Sequence, residues 1–282
     1  METLAEIFSH GFMVRAIVVG LLVSLCAALL GVNLVLKRYA MIGTGLSHVG
    51  FAAMVIAGAF EFIPDNNIVN DLTISLVVVV MAAFFLLRLN DNSKINGDSA
   101  VALVSTSGLA IGVIVMGLTT GITLHICNIL FGSILAMTIF DVYLSVALSV
   151  VVLVLFVVFY KQLFAVTYDE DFARATGTKV EVYKTLLALL TAVTVVLGMR
   201  MMGALLIASL TLFPAISAMR ICRRFFSVVV TAAVISLCCF FVGMVLSFEL
   251  NLPPGASIVG INLIVYMTLS GVSLIKRGGK RA

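Results

Sequence analysis

The chain has 282 residues, of which 62% are hydrophobic and only 11% charged, with a formal net charge of +4. That balance excludes a water-soluble globular domain, in which about a quarter of residues carry charge. A hydrocarbon core of roughly 30 Å takes about 20 apolar residues per helix, so the length allows about eight or nine crossings and leaves no room for a soluble catalytic domain.

From the N-terminus, the stretch 1–11 is acidic and lacks the basic start and small-residue cleavage site of a signal peptide, so Met1 is expected in the mature protein, with the first helix as its membrane signal. Apolar runs predict spans at 12–36, 41–60, 72–90, 99–119, 134–160, 182–200, 201–220, 226–247 and 256–275. The junction at Arg200-Met201-Met202-Gly203 is too short for an ordinary loop, and 120–133 reads either as an external loop or as a re-entrant segment. The fold class is therefore an all-α integral membrane protein, a single domain over 1–282 with eight or nine transmembrane helices. The five cysteines (Cys26, Cys127, Cys222, Cys238, Cys239) lack metal-finger spacing and read mostly as small hydrophobes.

Lysine and arginine set the orientation, because short cytoplasmic loops collect them. With the N-terminus outside and the C-terminus inside, only Arg15 and Arg200 stay on the outer side. Glu2, Glu6, Glu61, Asp65, Asp71, Asp141 and Glu249 then lie at or near the outer face. They either draw cations in or are simply solvated loop residues.

Three segments carry candidate chemistry. The first is the second predicted span, where Gly43, Ser47 and Gly50 share a face that lets another helix come close. In the same span Thr44, Ser47 and His48 stand at i, i+3 and i+4 and can present two oxygens and an imidazole nitrogen. An ionisable group inside a span is by default a functional candidate, and imidazole suits zinc and other first-row transition metals. The bland alternative is a neutral histidine bonded to a neighbouring helix. His10 and His125 are weaker entrance candidates, and Met199, Met201 and Met202 read as packing before they read as a soft-metal site.

The second segment, within about 165–180, is the long polar interruption Tyr168 to Gly177. Its acids Asp169, Glu170 and Asp171 come first, Phe172 and Ala173 next, and Gly177 stands where a short helix would stop. A surface helix of this kind, with Phe172 and Ala173 available for contact, suits a cytoplasmic partner. The alternative is a solvated connector. The third segment, Met202 to Ala218, joins Gly203 and small residues to Pro214, which removes a helix hydrogen bond and predicts a kink of use in gating.

No G-x-x-x-x-G-K-[ST] nucleotide loop occurs, so any ATP hydrolysis belongs to another polypeptide and the chain is not expected to be an enzyme. An ion-coupled secondary transporter, the alternative class, should place carboxylates near mid-membrane. None lies securely within a predicted span.

Taken in order, these segments resemble the zinc/manganese-type permease subunits of bacterial metal-ion ABC transporters. The resemblance rests on Met202-Gly203-Ala204-Leu205-Leu206-Ile207-Ala208-Ser209-Leu210 running to Pro214-Ala215, and on the acidic segment Asp169 to Gly177. It also rests on Leu46-Ser47-His48 and on Leu252-Pro253-Pro254-Gly255-Ala256. It implies an importer of divalent metal, zinc or manganese with iron as a third candidate, working by alternating access in a bacterial inner or plasma membrane. It further implies a coupling helix at Asp169–Gly177, a separate cytoplasmic ATPase subunit, an extracytoplasmic metal-binding protein and a homodimer or heterodimer of permeases. Membrane lipid is the remaining partner; no nucleic acid and no permanently bound cofactor are expected. Many relatives carry an aspartate four residues before the histidine as half of a metal-coordinating gate, whereas this chain has Thr44 there.

Overall fold

The computed structural model describes residues 11–37, 39, 41–60, 76–85, 97–118, 139–250 and 252–278. All regular structure there is helical: α1 (Gly11–Leu36), α2 (Ile42–Phe60), α3 (Leu76–Phe85), α4 (Gly97–Leu118), α5 (Ile139–Val158), α6 (Tyr160–Tyr168), α7 (Glu170–Ala175), α8 (Val180–Met202), α9 (Ala204–Ile221), α10 (Phe225–Leu250) and α11 (Pro254–Gly278). Helices satisfy their own backbone groups, which is the condition for crossing lipid. Interior hydroxyls follow the same economy, Thr191 and Thr194 donating to the Leu187 and Leu190 carbonyls four residues back.

Among the described residues six helices are long and apolar enough to cross a membrane, or seven if the bent pair α5–α6 is one span; α2 and α3 are apolar but shorter. The expected count of eight or nine is thus not reached on these criteria. Segment 120–133, with its re-entrant alternative, lies outside the described residues.

α1 and α8 form the interior, with 78% and 72% of their apolar windows buried, against 22% for α4 and 17% for α11. Small residues make α1 central. A side chain at Gly31 would run into the Thr211 main chain of α9, and one at Gly20 into the Phe240 ring of α10. On α5, Val150, Val151, Val154, Val157 and Val158 are exposed. Such a stripe is a liability in water but is the ordinary outer surface in lipid.

Two breaks shape the bundle. α5 and α6 meet at 69°, and around that elbow Tyr160, Phe164 and Phe225 pack with ring centroids 5.6 Å (Tyr160–Phe225) and 4.6 Å (Phe164–Phe225) apart. Lys161, Arg223 and Arg224 border this cluster in sequence, the composition of a membrane–water boundary. α8 and α9 are joined by Gly203 alone, at φ 89° and ψ 157°. That conformation is essentially reserved for glycine. The chain reverses there into a hairpin, with Ile207 filling the space beside Gly198. The short junction seen in the sequence is thus one residue in a glycine-only conformation. α9 remains helical through Pro214, which is buried.

Candidate functional site

α2 is held by close approaches on two sides. Toward α9 and α8, Gly43 lies against the Thr211 hydroxyl and Gly50 against the Met199 thioether. Met199 stands three residues from the end of α8, whereas Ile42 at the start of α2 lines one cavity with Lys37 and Lys184, so His48 lies between the Gly203 end and the α7 end of the bundle. Toward α4, Gly45 faces Val101, Gly108 faces Val49, and Gly112 faces Phe51 and Ala52. Both sets of numbers rise together, so the two helices run parallel. Gly108 and Gly112 are four apart, the small-xxx-small spacing that admits a second backbone.

That contact supplies a partner for His48. Its Nδ1 lies 2.9 Å from the Ser105 hydroxyl of α4. With Nδ1–H donating to Ser105, Nε2 keeps its lone pair for a ligand. Thr44 and His48 are both half-buried, one helical turn apart on the same face. Ser47 departs from the expected triplet: its side chain is buried and donates to the Gly43 carbonyl at 2.7 Å. The packing of Gly43 and Gly50 takes Ser47 inward, so the face is Thr44 and His48 without it. Among the described residues no three His, Cys, Asp or Glu side chains gather closely enough to hold a metal ion. Met199, Met201 and Met202 are buried in the apolar core and act as packing. His10 and His125 lie outside the described residues.

The polar interruption forms α7, whose ends follow from its residues. Asp169 caps it, its carboxylate accepting from the Phe172 N–H at 3.0 Å. Gly177, at φ 82°, ends it: the Gly177 N–H bonds the Arg174 carbonyl and the Thr178 N–H the Ala173 carbonyl, the paired bonds of a Schellman motif. Asp171, Phe172 and Arg174 are exposed, as is Tyr168 just before the helix. Ala173 corrects the sequence expectation, because it is fully buried against Val166 and Val180 and offers nothing to a partner. Six residues are too few for a periodic pattern to show which face turns inward.

Glu170 also turns inward. Its two oxygens take Lys37 Nζ of the segment after α1 at 3.0 Å and Lys184 Nζ of α8 at 2.7 Å, and both lysine side chains are nearly buried. Burial pushes the Glu170 carboxyl up, but the hydrogen bonds and charges of Lys184 and Lys37 outweigh it and hold the group below its ordinary value. Close by, Thr167 of α6 donates to the buried Asn33 side chain of α1 at 3.1 Å. Sequence reasoning missed Ser105, Lys37 and Lys184. None of the three carried a sequence signal: the meaning of Ser105 depends on which helix lies beside α2, and the lysines read as ordinary inner-loop charges.

A family model described as the ABC 3 transport family matches residues 9–273. The chain belongs to the ABC 3 transport family. Among its relatives, the high-affinity zinc uptake system membrane protein ZnuB of Haemophilus influenzae is 28% identical over 263 residues, covering 93% of this chain and 96% of that protein. The manganese import system permease protein ScaB of Streptococcus gordonii is 26% identical over 267 residues, covering 94% and 93%. Among solved structures, PsaBC from Streptococcus pneumoniae in complex with Fab superposes with a TM-score of 0.81 at 25% identity, covering 95% of this chain and 94% of that one. Membership in the ABC 3 transport family agrees with a multi-pass membrane transport subunit and does not favour the ion-coupled alternative.

Proposed function

We propose that this chain is the permease subunit of an ATP-driven importer of a divalent transition metal, zinc or manganese with iron as a third candidate. The observation that carries the reading is the family match across nearly the whole chain, to which relatives named for zinc and manganese uptake add the cargo class. α7 docks a cytoplasmic ATPase through Asp169, Asp171 and Phe172, with Gly177 fixing the end of the helix. A binding protein delivers the metal to the opposite face. Two permease copies, identical or closely related, enclose the path, and α2 and α3 complete nine crossings.

The metal is the cargo, passed from the Gly203 end past His48 Nε2 and Thr44. Imidazole with neutral oxygen is a weaker ligand set than imidazole with carboxylate, which suits a site that must release what it binds and favours zinc over manganese. Gly203 and Pro214 sit in the hairpin that changes shape between outward- and inward-open states. Co-expression with the genomically adjacent proteins tests the reading. The purified complex should contain an ATPase whose turnover one of zinc, manganese or iron stimulates when the binding protein is present. A well-behaved protein that brings down no ATPase would overturn it.

A further inference from the structure

Glu170 belongs by sequence to the acidic start of α7, yet its carboxylate faces the bundle and is shared between two nearly buried lysines on different parts of the chain. Two ammonium groups at 3.0 and 2.7 Å from one carboxylate use both of its oxygens. The arrangement ties α7 to the end of α1 and to the first turns of α8. The Thr167–Asn33 bond adds a second polar tie between the α6–α7 segment and α1, and Ala173 seats α7 on Val180 at the start of α8.

We propose that Lys37, Glu170 and Lys184 form a charge clasp that makes α7, α1 and α8 move as one body, so that Lys37 and Lys184 are positioning residues for energy coupling and not part of the surface offered to a partner. The inference rests on the transporter reading above and deepens it. Force applied to the exposed side of α7 then passes to two helices that lead to α2 around His48, one by direct contact and one through α9. α8 reaches α2 through Met199 at Gly50, and α1 reaches α9 through Gly31 at Thr211, whose hydroxyl lies against Gly43 of α2. The surface pair Arg174–Glu181, 3.5 Å apart and mostly exposed, also links α7 with α8. Screening by water makes it a poor carrier of such force, and it serves as the internal control.

The test uses the complete complex in proteoliposomes and reads metal taken up per ATP hydrolysed. Lys37→Met and Lys184→Met each remove one arm and leave Glu170 with the other, so that the carboxylate is not stripped of both its ammonium partners. Each should retain the ATPase and its hydrolysis while uptake per ATP falls about tenfold, within the range that coupling between sites spans. Lys37→Arg and Lys184→Arg should recover most of the ratio, and Glu181→Gln should leave it unchanged. A normal ratio in both methionine variants would overturn the clasp. So would release of the ATPase by them, since the lysines would then be supporting the docking surface. Failure of the unaltered complex to contain an ATPase would instead strike at the transporter reading, and the clasp would fall with it.

Discussion

His48 takes its orientation from a neighbour on another helix. The Ser105 hydroxyl at its Nδ1 fixes the ring and with it the direction of Nε2, as outer-shell partners do for metal-ligating histidines. His48→Ala should abolish metal-dependent uptake while the ATPase stays bound. Ser105→Ala should lower apparent metal affinity about tenfold, the lower end of the usual effect of an outer-shell partner, measured as the metal concentration that half-saturates uptake. Glu170 gives a pH prediction. Its carboxyl is held below the ordinary value in the folded protein, so the clasp contributes fully above the unfolded value of about 4.3 and is lost as pH falls from there through the folded one. The thermal midpoint of the purified protein should therefore drop more steeply as pH falls through that range than that of Glu170→Gln, and the two should run parallel again below it. His48 was recognisable as a candidate because a lone imidazole in an apolar run stands out. Ser105 was not, since its meaning depends on which helix lies beside α2, and Ala173 was placed on the wrong side because a single helical turn and a half carries no readable period.

At the scale of elements, the long apolar runs announced α1, α4 and α8 to α11 to within a few residues, because lipid demands a minimum length of continuous apolar helix. What the runs did not announce was their pairing. α4 lies parallel to α2 through Gly108 and Gly112, a contact encoded by two glycines that hydropathy treats as neutral. Gly108→Leu should separate the pair and disrupt the His48–Ser105 bond, which is checked by loss of uptake together with a lowered thermal midpoint. Gly203 is a sharper case. Any side chain there meets a backbone conformation that costs of order 1–3 kcal/mol, so Gly203→Ala should destabilise the protein measurably in thermal unfolding even though alanine is the better helix former. The break at Phe159 was also invisible from composition, since 134–160 reads as one apolar run and the turn is made by aromatic packing with α10.

For the molecule as a whole, its class as a multi-pass helical membrane protein was the most legible feature, because it depends on a sum over many residues: too few charges for water. The path itself depends on contacts between segments far apart in sequence and cannot be summed in that way. One property of the whole follows from the aromatic elbow. Tyr160, Phe164 and Phe225, beside Lys161, Arg223 and Arg224, favour the depth at which headgroups meet hydrocarbon, and α7 follows immediately after α6. The elbow thus acts as a waterline on the side of the protein that carries α7. Changes in bilayer thickness would be absorbed mainly at the far side, near Gly203, leaving the level of α7 above the lipid nearly constant. If α7 docks an ATPase as proposed, lipid thickness would then act on the Gly203 side while the docking surface stays within its partner's reach.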